Sequence, residues 1–255
     1  MQVGALIIGD ELLSGKRQDK HMQTLIRILA ARGMKLAWAE YLGDDPARIE
    51  AALRRAFAGD DLVFSFGGIG ATPDDHTRAC AAAALGLPLA PHPDACALIE
   101  ARFGADAYPH RIQMGHFPQG AAIIPNPVNQ IAGFFHGHVH FLPGFPSMAW
   151  PMAEWVLDTC YRQLFNDSPD IEKACIAIRA REGDLIGLMQ DFTARYPALR
   201  LSSLPNFGNE AIPEMHIEFG FAGQPALVEI AIVEWVKALG ERGYEVRDKA
   251  AAAAG

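Results

Sequence analysis

Residues 64–78 read FSFGGIGATPDDHTR. An apolar run, Leu62 to Phe66, ends at Gly67-Gly68. A third glycine, Gly70, follows, then Thr72-Pro73, Asp74-Asp75, and an Ala-rich stretch that reads as a helix to about Leu85, stopped by Gly86. Thr72 fits an N-cap, Pro73 the first helical position and Asp75 the third, which makes a Thr-x-x-Asp capping box. On that reading the aspartates only satisfy orphan amides and favour the helix dipole. A capping box needs one acid, however, and the glycines add nothing to a cap. Glycines let backbone amides approach a ligand, and a helix N-terminus favours phosphate. Two aspartates would repel a bare phosphate. A divalent cation removes the conflict, because Mg²⁺ is commonly held by one or two carboxylates plus phosphate oxygens. The loop therefore reads as a metal–pyrophosphate site. It is neither a Walker A loop, having no Gly-Lys-Ser/Thr, nor a G-x-G-x-x-G turn.

The flanking pattern places this loop in an α/β sheet. Val3 to Ile8 is an unbroken apolar run ended by Gly9, as in a buried parallel strand. Residues 19–32 carry Met22, Leu25, Ile26 and Leu29 at helical spacing, closed by Gly33. Leu36 to Leu42 is a second strand, and Asp45-Pro46 opens a helix marked by Ile49, Leu53 and Phe57. Strand and helix alternate three times, which argues for a parallel sheet covered on both faces. Ligands bind such sheets beyond the carboxyl ends of the strands. Those ends are GDEL (9–12), GDD (43–45) and the glycine loop, each carrying a carboxylate.

Residues 121–142 hold three short strand-like runs, and Pro146 to Phe165 is helical. The polar linker NDSPD (166–170) suggests a boundary. The expected domains are 1–168 and 169–248, with residues 249–255 a frayed tail. The second domain reads β-α-β-β-α-β: strands at 171–178, 199–204, 215–221 and 244–246, helices at 184–196 and 226–239.

The chain has 255 residues and a formal charge of −8. Acidic chains are poor sequence-independent binders of nucleic acid, which requires Lys and Arg. None of the four cysteines forms a C-x-x-C pair, so buried free thiols in a reducing compartment are expected. The N-terminus lacks a basic n-region and no apolar stretch reaches ~20 residues, so a cytoplasmic protein without membrane association is expected.

The loop GGIGATPDDHT resembles the signature of MoaB/Mog-type molybdopterin-binding domains, and more closely the GGxGPTxDDxT form of CinA-like (competence/damage-inducible) proteins. The resemblance extends to IIGDELLSGK (G-T-E-L-L-x-G in the family), YLGDD, PQGAAIIPNP and FLPGFPSMAWPM (LPGPPxEMxPM). It implies a three-layer α/β/α domain with a mostly parallel sheet, binding a pterin or nucleotide that bears phosphate. By this likeness Asp44 and Asp75 are implicated in metal-assisted chemistry, and Glu11 matches the acid of the first loop as a third ligand to Mg²⁺, Mn²⁺ or Co²⁺. Gly67, Gly68, Gly70 and Thr72 match the phosphate cradle. Gly9, Asp74, Thr77, Asn126, Gly144 and Pro146, in the same segments, complete the expected ligand contacts.

The resemblance implies metal-dependent cleavage of a pyrophosphate in ADP-ribose or a similar dinucleotide. The alternative is a non-catalytic molybdopterin-binding or molybdenum-cofactor-biosynthesis protein. A homodimer is expected. The second domain resembles the small KH-type domain of CinA-like proteins. RNA binding is not expected of it, since residues 183–187 read GDLIG rather than a GxxG clamp, and 13 Asp/Glu face 9 Lys/Arg from residue 169 onward. No match to the family's nicotinamide-mononucleotide deamidase domain is present, so deamidase activity is not expected. Ala71 and Phe145 replace family prolines, Met148 replaces a glutamate, and Asn129-Gln130-Ile131-Ala132 stands where Gly-Thr-Ala-Pro is common. These changes lie at the expected ligand wall.

Four features take no role from the resemblance. HGHVH puts His136, His138 and His140 at alternate positions, which suits a metal on a strand face but suits better a hairpin turn with exposed imidazoles. His76 either reaches the ligand or faces water. Ser14 has no G-x-S-x-G elbow around it and reads as a polar or capping contact. Arg78 either neutralises phosphate or pairs with nearby acids.

Overall fold

The computed structural model describes residues 1–249, which form two compact units, Met1–Asp167 and a second from Ser168 onward. Apart from Lys249, the expected tail lies outside the described residues.

In chain order the first unit contains β1 (Val3–Ile8), α1 (Asp10–Leu13), α2 (His21–Ala30), β2 (Leu36–Leu42), α3 (Pro46–Ala58), β3 (Leu62–Phe66) and α4 (Thr77–Leu85). It continues with β4 (Leu89–Pro91), α5 (Pro93–Phe103), β5 (His116–Pro118), β6 (Ala122–Ile124), β7 (Gly133–His136), β8 (Val139–Leu142) and α6 (Pro146–Cys160). The main sheet has the order β2-β1-β3-β8-β7-β6. Its first four strands are parallel, and β7 runs antiparallel to both neighbours. The uniformly buried strand β1 sends Val3, Ala5 and Ile7 toward Leu25, Ile28 and Leu29 of α2 and the apolar face of α6. Its Leu6 and Ile8 meet Ile49 and Leu53 of α3 on the opposite face, where α4 also packs. The result is the three-layer α/β/α domain. At the edge, β2 alternates half-buried and exposed side chains, as a strand with one free flank does.

Local chemistry sets most of these boundaries. The Asp45 carboxylate accepts from the Ala47 and Arg48 amides while Pro46 opens α3. Gly86, at φ 67°, terminates α4 in the left-handed conformation. The start of α4 departs from expectation. The Thr72–Asp75 bonds form, but in an isolated turn: Asp75 Oδ2 accepts from the Thr72 amide at 2.8 Å, and the Asp75 amide donates to the Thr72 carbonyl at 3.0 Å. The helix begins at Thr77, whose amide donates to the Gly68 carbonyl (3.0 Å) and whose hydroxyl donates to the Gly67 carbonyl (3.1 Å). The glycine turn thus takes over the capping role from Thr72. Between α4 and β6 the chain inserts α5 and the antiparallel pair β4–β5, elements with no expectation in the periodicity.

The second unit contains β9 (Ile171–Ile178), α7 (Glu182–Arg195), β10 (Arg200–Asn206), β11 (His216–Gly223), α8 (Pro225–Glu241) and β12 (Glu245–Asp248), in the expected β-α-β-β-α-β order. Its antiparallel sheet runs β10-β11-β9-β12. Trp235 of α8 is fully buried, edge-on to Phe192, Phe219 and Phe221, and centres a small separate core. No helix among the described residues is long and apolar enough to cross a membrane. The four cysteines are free thiols; Cys80 and Cys175 are buried, and Cys96 and Cys160 are partly so.

HGHVH forms the β7–β8 hairpin, but its imidazoles are not all exposed. His140 is fully buried among Phe64, Phe135 and Tyr161, because β8 is an interior strand with both faces covered. No cluster of three or more His, Cys, Asp or Glu able to hold a metal occurs among the described residues. Burial pushes the His140 pKa down to about 4 from an ordinary 6.5. The unfolded chain takes up this proton near pH 6.5, whereas the folded chain refuses it until about pH 4. Stability is therefore expected to fall as pH drops through that window, by about 3 kcal/mol at its lower end, and then level off. His21 and His116 are displaced the same way by burial. His140→Phe isolates the contribution: in urea titrations from pH 7 to 4 its stability should decline less than that of the wild type.

Candidate functional site

Three loops converge beyond the carboxyl ends of β1, β2 and β3. From the first, Asp10 Oδ1 accepts the Asp44 amide at 3.1 Å; from the second, Asp44 Oδ2 accepts the Asp10 amide at 2.9 Å. This reciprocal clasp ties two loops 34 residues apart. A depression of about 630 Å³ is lined by Asp10, Glu11, Leu13, Ser14, Lys16, Asp44 and Asp74. Burial raises the Asp44 pKa; the Asp10 amide opposes that rise, and the charges of Asp10, Glu11 and Asp74 reinforce it. The acids thus sit close enough to repel one another, with Lys16 at the wall and Arg17 at 4.0 Å from Glu11.

Asp75, expected as a metal ligand, is placed differently. Its Oδ2 receives both the Thr72 amide and the Thr72 hydroxyl. Gly70 makes room for it, since a Cβ there would lie 2.5 Å from that oxygen. Asp74, not Asp75, joins Asp44 and Glu11 at the crevice. The turn closed by Thr72 and Asp75 points the first aspartate of the pair outward and spends the second on the backbone.

The glycine loop serves its own architecture first. Gly67 and Gly68 adopt φ 100° and 69°. A Cβ on Gly67 would sit 2.3 Å from the Ile8 carbonyl oxygen, and one on Gly68 2.1 Å from Thr77 Oγ1. Arg78 is buried behind the loop, where its guanidinium donates to the carbonyls of Gly70 (2.6 Å), Gln113 and His116 (3.4 Å) and is attracted by the charge of Asp75. Thr72 and Thr77 likewise give their hydroxyls to the loop itself. Yet the amides of Gly68, Ile69, Gly70 and Ala71 donate no hydrogen bond among the described residues, which leaves four consecutive donors uncommitted.

The remaining expected contacts divide. Gly9 abuts Glu11, since a Cβ there would lie 2.6 Å from Oε2. Gly144 and Pro146 line a second depression beside the first. Asn126 is buried and used within its own loop: its amide donates to the Ile131 carbonyl at 3.1 Å and its Oδ1 accepts from the Val128 amide at 3.0 Å. His76 is partly exposed beside Asp74. Ser14 ends α1 at the crevice wall, a polar contact without a nucleophile's surroundings. One residue escaped the sequence reading. Asp10 was visible within GDEL but carried no sign of its pairing with Asp44.

Hard carboxylate oxygens suit Mg²⁺ or Mn²⁺. No three of these acids converge on one point. The donor set therefore fits an ion held by one or two carboxylates and completed by ligand phosphate and water, and does not fit an all-protein cage.

A three-layer α/β/α domain with an acid-lined, glycine-turned crevice beyond its strand ends is a doubly wound domain, a class in which ligands bind in that crevice. The chain belongs to the molybdopterin-binding domain family: the family model described as "probable molybdopterin binding domain" matches residues 4–163. Within it the similarity runs to CinA-like proteins. One, from Anaeromyxobacter dehalogenans (strain 2CP-1), is 36% identical over 165 residues, covering 62% of this chain and 40% of that protein. Another, from Syntrophotalea carbinolica, is 30% identical over 181 residues, covering 68% of this chain and 44% of that protein. The chain thus matches well under half the length of these relatives. Among solved structures, the CinA protein of Thermoplasma acidophilum, of unknown function, is 28% identical with a TM-score of 0.57, covering 62% of this chain and 98% of that one.

Proposed function

We propose that the first unit binds a phosphorylated nucleotide or pterin and, with a divalent ion, hydrolyses the phosphoanhydride of ADP-ribose or a similar dinucleotide. The observation that carries this reading is the gathering of four carboxylates, Asp10, Glu11, Asp44 and Asp74, from three loops around one crevice, the third loop being the one whose amides at residues 68–71 donate no hydrogen bond among the described residues. One or two of Glu11, Asp44 and Asp74 would hold the ion, which supplies positive charge between carboxylates and phosphate. The amides bind phosphoryl oxygens and stabilise charge that develops on them. The Asp10–Asp44 clasp keeps the first two loops in register with each other. Asp75 positions the loop and does not touch the ligand.

A second reading, molybdopterin binding without turnover, is favoured by the lack of any three converging acids among the described residues. Metal dependence separates the two. Purified protein would be incubated with ADP-ribose or FAD and Mg²⁺, Mn²⁺ or Co²⁺, and AMP release followed by chromatography. Release that a chelator abolishes supports the hydrolase. No release with any pair, together with chelator-insensitive molybdopterin binding, supports the second reading. The same reading takes the protein as a cytoplasmic homodimer, and light scattering should return twice the monomer mass.

A further inference from the structure

Helix α8 is apolar on both of its long faces. Inward, Val228, Ala231, Trp235 and Leu239 pack in the core of the second unit. Outward, Ile230, Val233 and Val236 are exposed at helical spacing, Val233 to 67%, with Ala226 and Gly240 exposed toward the two ends. A helix that is hydrophobic all round is ordinarily a buried one. Helix propensity does not account for the outward residues, because β-branched side chains lose rotamer freedom in a helix and recover nothing unless they are packed. The outward face of α3 shows the usual alternative and carries Arg48, Arg54 and Arg55.

The order of the outward residues identifies what covers them. Helix α8 spans Pro225–Glu241, and Val233 is its middle residue. In an antiparallel helix pair with a two-fold axis at Val233, residues equally far before and after that position come to the same height on the two helices. Three residues out, Ile230 of one copy meets Val236 of the other, apolar against apolar. Four residues out, Glu229 meets Lys237, opposite charges. Seven residues out, Ala226 meets Gly240, whose small size lets the backbones approach. The face is thus complementary to itself in size and in sign, as a two-fold contact requires. Within one chain Glu229 stands 2.7 Å from Lys173, and Lys237 stands 3.9 Å from Glu241; both pairs lie at the surface. A second copy would join each pair into a larger network.

We propose that the outward face of α8 is the contact through which two copies of this chain associate, antiparallel and centred on Val233. The inference rests on the homodimer reading above and names its interface. One helix about 25 Å long on each side is a small contact beside the ~1,600 Å² of a standard interface, so association in the micromolar range is expected.

The test is light scattering and sedimentation equilibrium on the full chain from low to high micromolar concentration. The wild type should pass from monomer to dimer. Val233→Lys sets two ammonium groups against each other at the axis and should weaken association by about 100-fold or more. The position is exposed, so the thermal midpoint should stay at the wild-type value. Glu229→Lys and Lys237→Glu each set like charges opposite one another and should each weaken association by about tenfold. The double exchange restores opposite signs across the axis and should recover it. That recovery cannot come from within one chain, where each substitution breaks a separate pair, with Lys173 or with Glu241. A wild type that stays monomeric throughout would overturn both this proposal and the homodimer reading. A dimer that persists in Val233→Lys, or a double exchange no better than either single variant, would overturn the interface and leave the homodimer reading standing.

Discussion

Asp44→Asn is expected to lower metal-dependent AMP release from ADP-ribose by about 100-fold or more, the scale on which preorganised charge at a reacting phosphate acts. The folded state should not suffer. Asparagine keeps an oxygen that accepts the Asp10 amide, the bond Asp44 makes at 2.9 Å. The substitution also removes a charge that Asp10, Glu11 and Asp74 oppose. The thermal midpoint should therefore equal or exceed that of the wild type while turnover collapses. Asp75→Asn gives the contrast. It weakens the acceptor of two Thr72 bonds, so its activity loss should come with a lower midpoint. Chromatography and thermal melts on both variants decide the matter. Near-wild-type turnover in Asp44→Asn would remove this residue from the mechanism.

The second large effect is on stability. Gly67→Ala should cost about 3 kcal/mol, combining ~1–2 kcal/mol of left-handed backbone strain with ~1–3 kcal/mol of overpacking. The obstacle is rigid: the Ile8 carbonyl oxygen, 2.3 Å from the added carbon, belongs to the end of β1, which is held between β2 and β3. Gly86→Ala is the control. Its φ of 67° is equally left-handed, but an added Cβ meets nothing within 4 Å, so it should cost only about 1 kcal/mol. Urea titration of the full chain measures both. If Gly67→Ala is no less stable than Gly86→Ala, the close approach of loop and strand does not limit the fold.

Much of the architecture was legible because its causes are local. Apolar runs bounded by glycine and aspartate marked β1, β2 and β3, and the observed limits of all three match the reading residue for residue. The Asp45-Pro46 pair and Gly86 act through bonds and torsions within a few residues of themselves, and both do so in the structure. The segment between α4 and β6 was illegible. Its two strands have three residues each, too short for any alternation to register, and α5 buries only Ala95 and Ile99, too few to mark a helical period. The start of α4 was misread for a more instructive reason. The Thr72–Asp75 motif is real, but its hydrogen bonds close a single turn as readily as they open a helix.

By itself the sequence determined the α/β/α layering of the first unit, the β-α-β-β-α-β order of the second, and the family. All three follow from the period of apolar residues and from ordered motifs, which a linear chain carries intact. Only the tertiary structure decided which of two adjacent aspartates faces the crevice. It also decided that Asp10 and Asp44 clasp across 34 residues, and that Thr77, Arg78 and Asn126 are spent on backbone groups. These are matters of side-chain direction in non-periodic backbone. There no 2.0- or 3.6-residue repeat dictates where a side chain points, and hydrogen-bond partners brought close by folding settle it.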